Sequence, residues 1–170
     1  YWGFLKKGLS LSQNIDSILF EKDAPLRDEF KYLYASVFKK PENYVKIIEA
    51  LGTKKVGMTR EEIITATKIP NSGDLTTKLE ELESCGFIRK YNAFGMKKKN
   101  AIYQLMDYFT LFYFKFLKSE PTDEHFWTNQ INTPAVNTWL GLAFERVCME
   151  HVDQIKFKLG ISGVLTEVNS

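Results

Sequence analysis

The stretch Met58–Leu105, MTREEIITATKIPNSGDLTTKLEELESCGFIRKYNAFGMKKKNAIYQL, decides the fold. Thr59 heads its first apolar-periodic run and Glu62 stands three residues on, the spacing of a capping box. The short helix so opened turns Ile63, Ile64 and Ala66 inward. Pro70, Asn71, Ser72 and Gly73 then mark a turn, with Ser72 the natural N-cap of a second helix. Leu75, Leu79 and Leu82 recur along that helix at helical spacing, and Gly86 can take the left-handed position that ends it. Two stretches that read as strands follow, Phe87–Tyr91 and Ala101–Met106. The loop between them, NAFGMKKKN, carries three consecutive lysines and Gly95, which can supply a positive φ.

Helix, turn, helix, strand, basic loop, strand is the order of a winged helix-turn-helix. The predicted fold class is mainly α with a small β-hairpin, the winged helix standing between helical segments. Upstream, Ser10 and Gln13 fit a capping box for a helix over 10–20, with Leu11, Ile15, Ile18 and Leu19 on one face. Pro25 opens a second helix to about Lys39, and Pro41 a third ending near Gly52, because a first helical residue needs no amide donor. Downstream, Asp107 can cap an aromatic helix, Tyr108–Lys118, apolar nearly all round and so expected to be buried. Ser119–Asp123 is a polar break. Thr133 and Pro134 then open a long helix to about Leu159, with Val136, Leu140, Ala143, Phe144, Val147, His151 and Ile155 as its buried stripe. Gly160 closes it, and Ile161–Val168 reads as a strand.

The chain has 170 residues, is 44% hydrophobic and 26% charged, and can therefore bury a real core. A net charge of +2 does not mark a nucleic-acid binder without a local cluster. Cys85 and Cys148 match no disulfide or zinc-ligand spacing, which predicts reduced thiols in a cytoplasmic protein. The apolar run Tyr108–Leu117 falls short of the ~20 residues a bilayer demands, so no membrane association is expected. The chain begins at Tyr1 without an initiator methionine or a secretory leader, and it ends in apparent mid-strand. A fragment of a longer protein is the expectation.

The local cluster is the loop and the strand before it. Arg89, Lys90, Lys97, Lys98 and Lys99 fall between Gly86 and Asn100 with no acidic residue among them. Lysines on a loop suit phosphate contact, where charge and reach matter more than fixed geometry. The same lysines would equally keep a strand edge soluble. The second helix argues the other way, since a step of ~100° per residue places Glu80 and Glu81 outward beside Thr77 and Ser84. Carboxylates there oppose a DNA backbone, and only the start of the helix, Asn71, Ser72, Thr76, Thr77 and Lys78, offers polar residues that are not acidic. Thr77 and Lys78 join the basic cluster as candidate nucleic-acid contacts. His125 and His151 have no carboxylate or cysteine at ligand spacing, so no metal site is expected. No phosphate loop, nucleophile elbow or zinc motif is present, and no catalytic residue is expected in this chain.

Five stretches together resemble a known family: YWGFLKKGLSLSQNIDSILF, APLRDEF, TREEIITATKIPNSGDLTTKLEELESCGFIRKY, YQLMDYFTLFYFKF and GLAFERVCMEHVDQIKFKLGISGVLTEV. They are similar to the C-terminal part of prokaryotic AAA+-type P-loop ATPases that end in a winged helix and a PD-(D/E)XK nuclease-like domain. The resemblance implies that residues 1–40 belong to the ATPase's helical lid and 41–118 to the winged helix with its following aromatic helix. Residues 119–170 would begin a truncated nuclease-like domain. Glu145, in GLAFE, matches the helix glutamate of such a domain, whereas Glu167 lacks the lysine that the family's Glu-X-Lys requires. The ATPase core is absent, so no cofactor is implied for this chain, and ATP and Mg only for the full-length protein. DNA, the protein's own ATPase core and a second copy of the chain are the partners implied. The rival reading is a winged helix that serves as a protein-interaction or oligomerisation module and binds no nucleic acid.

Overall fold

The computed structural model describes residues 1–92 and 101–164. It is mainly helical with one small antiparallel sheet. After a 3-10 turn at Trp2–Phe4, the elements are α1 (Leu11–Ile15, continuing as a π-helical turn over Asp16–Phe20), α2 (Glu29–Val37), α3 (Glu42–Gly52), β1 (Met58–Thr59), α4 (Arg60–Thr67) and α5 (Gly73–Ser84). They continue with β2 (Ile88–Asn92), β3 (Ala101–Leu105), α6 (Tyr108–Phe112, continuing as a π-helical turn over Tyr113–Leu117), α7 (Phe126–Gln130), α8 (Pro134–Glu150) and α9 (Val152–Lys158).

Both expected capping boxes form. Ser10 accepts from the Gln13 amide at the head of α1, and Thr59 from the Glu62 amide at the head of α4, with each third residue bonding back. Ser72 caps α5 by accepting from the Leu75 amide, and Asp107 caps α6 by accepting from Thr110. Helix α5 ends in a Schellman motif: the Phe87 and Gly86 amides return to the Leu82 and Glu83 carbonyls, both at 3.0 Å. Gly86 has φ +77°, the left-handed geometry this turn requires.

The sheet has the order β1-β3-β2, all antiparallel, with Ile88 opposite Leu105 and Lys90 opposite Tyr103. β1 is a third strand that two residues of sequence do not announce. It pairs Met58 with Tyr103 because Gly57 (φ +85°) lets the linker run against β3. A Cβ at Gly57 would come within 2.5 Å of the Tyr103 carbonyl oxygen. Along β3, Ala101, Tyr103 and Leu105 face the core while Ile102 and Gln104 face away.

The main core joins α2, α3, α4, α5 and the sheet through Tyr34, Ile47, Ile48, Ile63, Leu75, Leu79, Leu82 and Ile88. A second cluster gathers Phe20, Phe112, Phe116, Leu117, Trp127 and Val136. It spans the polar break at 119–123, so α7 and the head of α8 pack on α1 and α6. Asp16 secures that packing, its buried carboxylate accepting from the Trp127 amide (2.7 Å), the Thr128 amide (3.1 Å) and the Thr128 hydroxyl (2.5 Å).

Five expectations are corrected. Pro25 does not begin a helix: residues 25–28 are turns, held by Arg27, whose Nη1 donates to the Phe20 (2.9 Å) and Glu21 (3.3 Å) carbonyls, and α2 starts at Glu29. In α1, Leu11 faces solvent, while Ile18 is buried in the π-helical turn. The long helix is two helices, because at His151 the backbone (φ −110°, ψ 20°) leaves the helical line after a bond shared between the Val147 and Cys148 carbonyls. Of its supposed buried stripe only Val136 is buried, while Leu140, Phe144, Val147, His151 and Ile155 are exposed. Finally, residues 161–164 form a turn after Gly160 (φ +71°) and not the start of a strand; 165–168 lie outside the described residues. No helix among the described residues is long and apolar enough to cross a membrane.

Candidate nucleic-acid interface

The candidate contacts at the start of α5 are mostly engaged within the chain. Arg60 reaches across the turn, donating from Nε to Asn71 Oδ1 and from Nη2 to the Ser72 carbonyl, both at 2.9 Å. The hydroxyls of Thr76 and Thr77 fold back onto the Ser72 and Gly73 carbonyls. Lys78 pairs with Asp74 at 2.5 Å and lies 5.3 Å from the centre of the Tyr44 ring, leaving its side chain only 13% exposed.

The acidic residues of α5, Asp74, Glu80, Glu81 and Glu83, are all exposed, and Asp74, Glu81 and Glu83 also bond within the chain. Tyr44 donates its hydroxyl proton to Glu81, and the Lys90 amide donates to Glu83 Oε1 at 3.3 Å. Burial, and then the Glu81 hydrogen bond and charge, push the Tyr44 phenol up to about 12. The outward face of α5 therefore carries negative potential and few free donors.

The β2 candidates separate. Side chains alternate along a strand, so Arg89 and Lys90 leave the sheet on opposite faces. Lys90 is exposed beside Tyr103, its ammonium 5.8 Å from the ring centre. Arg89 sits half-buried on the other face, where its Nε donates to Gln104 Oε1 at 2.8 Å and its guanidinium lies 5.2 Å from the Tyr91 ring centre. That face looks toward α8, whose Leu142, Glu145, Arg146 and Met149 share one helical face and border the same cavity as Arg89. Lys97, Lys98 and Lys99 lie outside the described residues.

Glu145 is exposed and stands next to Arg146 across the cavity from Arg89. Among the described residues it is the one carboxylate bordering that cavity, and no group of three or more His, Cys, Asp or Glu that could hold a metal occurs among them. Sequence reasoning missed Arg146, whose Nη1 donates to the Leu105 carbonyl at 2.7 Å and so joins α8 to β3. Burial, and then the neighbouring charge of Arg89, lower its pKa. The only hint in the sequence was its place beside Glu145.

No family model matches the chain, and no solved structure matches it. It is similar to "Uncharacterized protein MJECL04" of Methanocaldococcus jannaschii, with 27% identity over 161 residues covering 91% of this chain. The chain spans about a third (33%) of that relative's length.

Proposed function

We propose that this chain is the winged-helix part of a cytoplasmic AAA+-type ATPase, and that it meets nucleic acid through the edge of its basic wing without reading sequence. The observation that carries the reading is the contrast between α5 and β2. α5 presents Glu80 outward and holds Thr77 and Lys78 in internal contacts. Lys90 is exposed on the strand that leads directly into Lys97, Lys98 and Lys99. A phosphate backbone is attracted to the second surface and repelled by the first. The relative's greater length supports a larger parent protein, in which an ATPase core with ATP and Mg would drive the motion.

Charge reversal of Lys97, Lys98 and Lys99 to glutamate tests this. Wild-type binding to single- and double-stranded DNA should weaken log-linearly with salt, by a slope of ~0.9 per duplex phosphate neutralised. The triple variant should lose that binding. Equally tight binding by the variant, with the same salt slope, overturns the reading.

A second reading has its own observation. Phe144 and Phe157, on α8 and α9, are 71% and 73% exposed, with Leu140, Val147, Ile155 and Leu159 also open to solvent. Apolar exposure on that scale fits a protein-docking or oligomerisation module. This reading predicts no DNA shift at moderate salt and concentration-dependent self-association in sedimentation.

A further inference from the structure

Helix α8 does not lie flush on the sheet. A cavity of about 200 Å³ separates them, far more than the ~10–15 Å³ one water needs. Arg89, Tyr91 and Gln104 border it from the sheet, Lys55 from the linker before β1, and Glu145 and Arg146 from α8. Among the described residues, two arginines and a lysine thus border the space with one carboxylate.

Both guanidiniums are held from behind. Gln104 accepts from Arg89 Nε and donates its own Nε2 to the Lys55 carbonyl at 2.7 Å, while Tyr91 flanks the Arg89 plane and donates its hydroxyl to the Val56 carbonyl at 2.7 Å. Arg146 is fixed by its bond to the Leu105 carbonyl. A guanidinium has five N–H donors and no acceptor, so these bonds leave most donors of each fork unused. Two like charges in one partly buried space repel, and the pKa of Arg146 is lowered first by burial and then by the charge of Arg89. Carbonyl capping accounts for Arg146 alone; it does not explain why Arg89 and Lys55 border the same space.

We propose that this cavity is a phosphate site in which Lys55, Arg89 and Arg146 hold a phosphomonoester group. Two planar forks match phosphate oxygens bidentately. Three cations against Glu145 leave a surplus of two positive charges, which a phosphomonoester, at about −1.5 to −2, offsets and a carboxylate or internal phosphodiester does not. The phosphate can belong to a nucleotide or to the 5′ end of a nucleic acid strand. None of the residues named for the site belongs to the lysine loop, and the proposal does not rest on the reading above.

The test is calorimetric titration of the full 170-residue chain with inorganic phosphate, AMP, and a short single strand bearing either a 5′-phosphate or a 5′-hydroxyl. Inorganic phosphate should bind and should compete with the phosphorylated ligands. A strand that binds tighter with a 5′-phosphate than with a 5′-hydroxyl identifies the strand end as the source of the phosphate, and equal binding of the two strands with AMP bound identifies a nucleotide. Arg89→Gln should weaken phosphate binding about tenfold or more, the loss expected of a charge-assisted hydrogen bond. Lys55→Gln, at an exposed position where the fold is safe, should weaken it in the same direction, and Arg146→Lys should do so while keeping the charge. Glu145→Gln should tighten it, since the lone opposing carboxylate is gone. The Lys97, Lys98 and Lys99 triple variant should bind inorganic phosphate as wild type does, which separates failure of the loop reading from failure of this site. No binding of any phosphorylated probe at millimolar concentration overturns the proposal, as does unchanged binding in Lys55→Gln and Arg89→Gln together.

Discussion

Helices α5 and α8 carry apolar side chains at the same helical spacing, yet the fold treats them in opposite ways. In α5, Leu75, Leu79 and Leu82 are sealed between α3, α4 and the sheet, at 0%, 1% and 0% exposure. In α8, Val136 is sealed at the N-terminal end, and the turns after it leave Leu140, Phe144 and Val147 open. Periodicity identifies the face of a helix that gains from burial. It does not say whether the surrounding chain supplies the partner. Around α5 that partner is local in sequence, whereas among the described residues α8 meets mainly the aromatic cluster at its head and the Leu105 carbonyl further on.

The sharpest way to break this contrast is a pair of truncations. Leu82→Ala empties a closed site and should cost ~2–5 kcal/mol, whereas Phe144→Ala removes an exposed ring and should stay within about ±0.5 kcal/mol. Urea unfolding of the two variants at low protein concentration measures both. If Phe144→Ala costs as much as Leu82→Ala, the α8 face is covered in solution, and a dependence of its midpoint on protein concentration would identify a second copy as the cover.

The same contrast governs what was legible from the residues. Thr59, Ser72, Asp107 and Gly86 announce themselves because caps and left-handed turns are short-range devices, and each stands where the sequence places it. Long-range features were hidden. β1 consists of Met58 and Thr59 only, and its pairing to β3 depends on Gly57 giving room to the Tyr103 carbonyl. The break at His151 has neither proline nor glycine to signal it. Among the site residues, the acidic character of α5 could be read directly. The separation of Arg89 from Lys90 could not, because adjacent residues in a basic run look alike until strand alternation sends them to opposite faces. Arg146 was invisible for the same kind of reason: its partners lie on another element.

The attachment of the second cluster gives the next largest effect. Asp16 gathers three donors from α7, two of them backbone amides. Asp16→Ala strips their acceptor and should cost ~2–3 kcal/mol, the scale of a charged hydrogen-bond acceptor lost from a buried site. The expected loss is local. Amide exchange at Trp127, Thr128 and the first turns of α8 should accelerate, while that of α5 stays slow. Uniform acceleration in both regions would show that the two clusters unfold as one unit and would remove the contrast.

The smallest effect lies inside the well-packed region and depends on pH. Tyr44 is 8% exposed, stacks on Phe38 with ring centres 3.9 Å apart, and donates its hydroxyl to Glu81. Tyr44→Phe keeps the stacking and removes the hydroxyl, so near neutral pH it should cost about 1 kcal/mol, one hydrogen bond to a charged acceptor less the gain of rehydrating Glu81. The folded chain holds the Tyr44 proton up to about 12, against an ordinary value of ~10 in the unfolded chain. A raised pKa means the folded state keeps the proton that the unfolded state gives up, so the contribution of this hydroxyl is complete below pH ~10 and fades as pH rises through about 12. The stability difference between wild type and Tyr44→Phe should therefore be flat from pH 7 to 9 and shrink above pH ~10. Phenolate absorbance followed in parallel should show one tyrosine fewer titrating late in the variant. A difference that does not shrink above pH ~10 would mean that neither burial nor Glu81 holds the Tyr44 proton in the folded chain. In that case α5 would have both its outward carboxylates, Glu80 and Glu81, free to face whatever partner approaches.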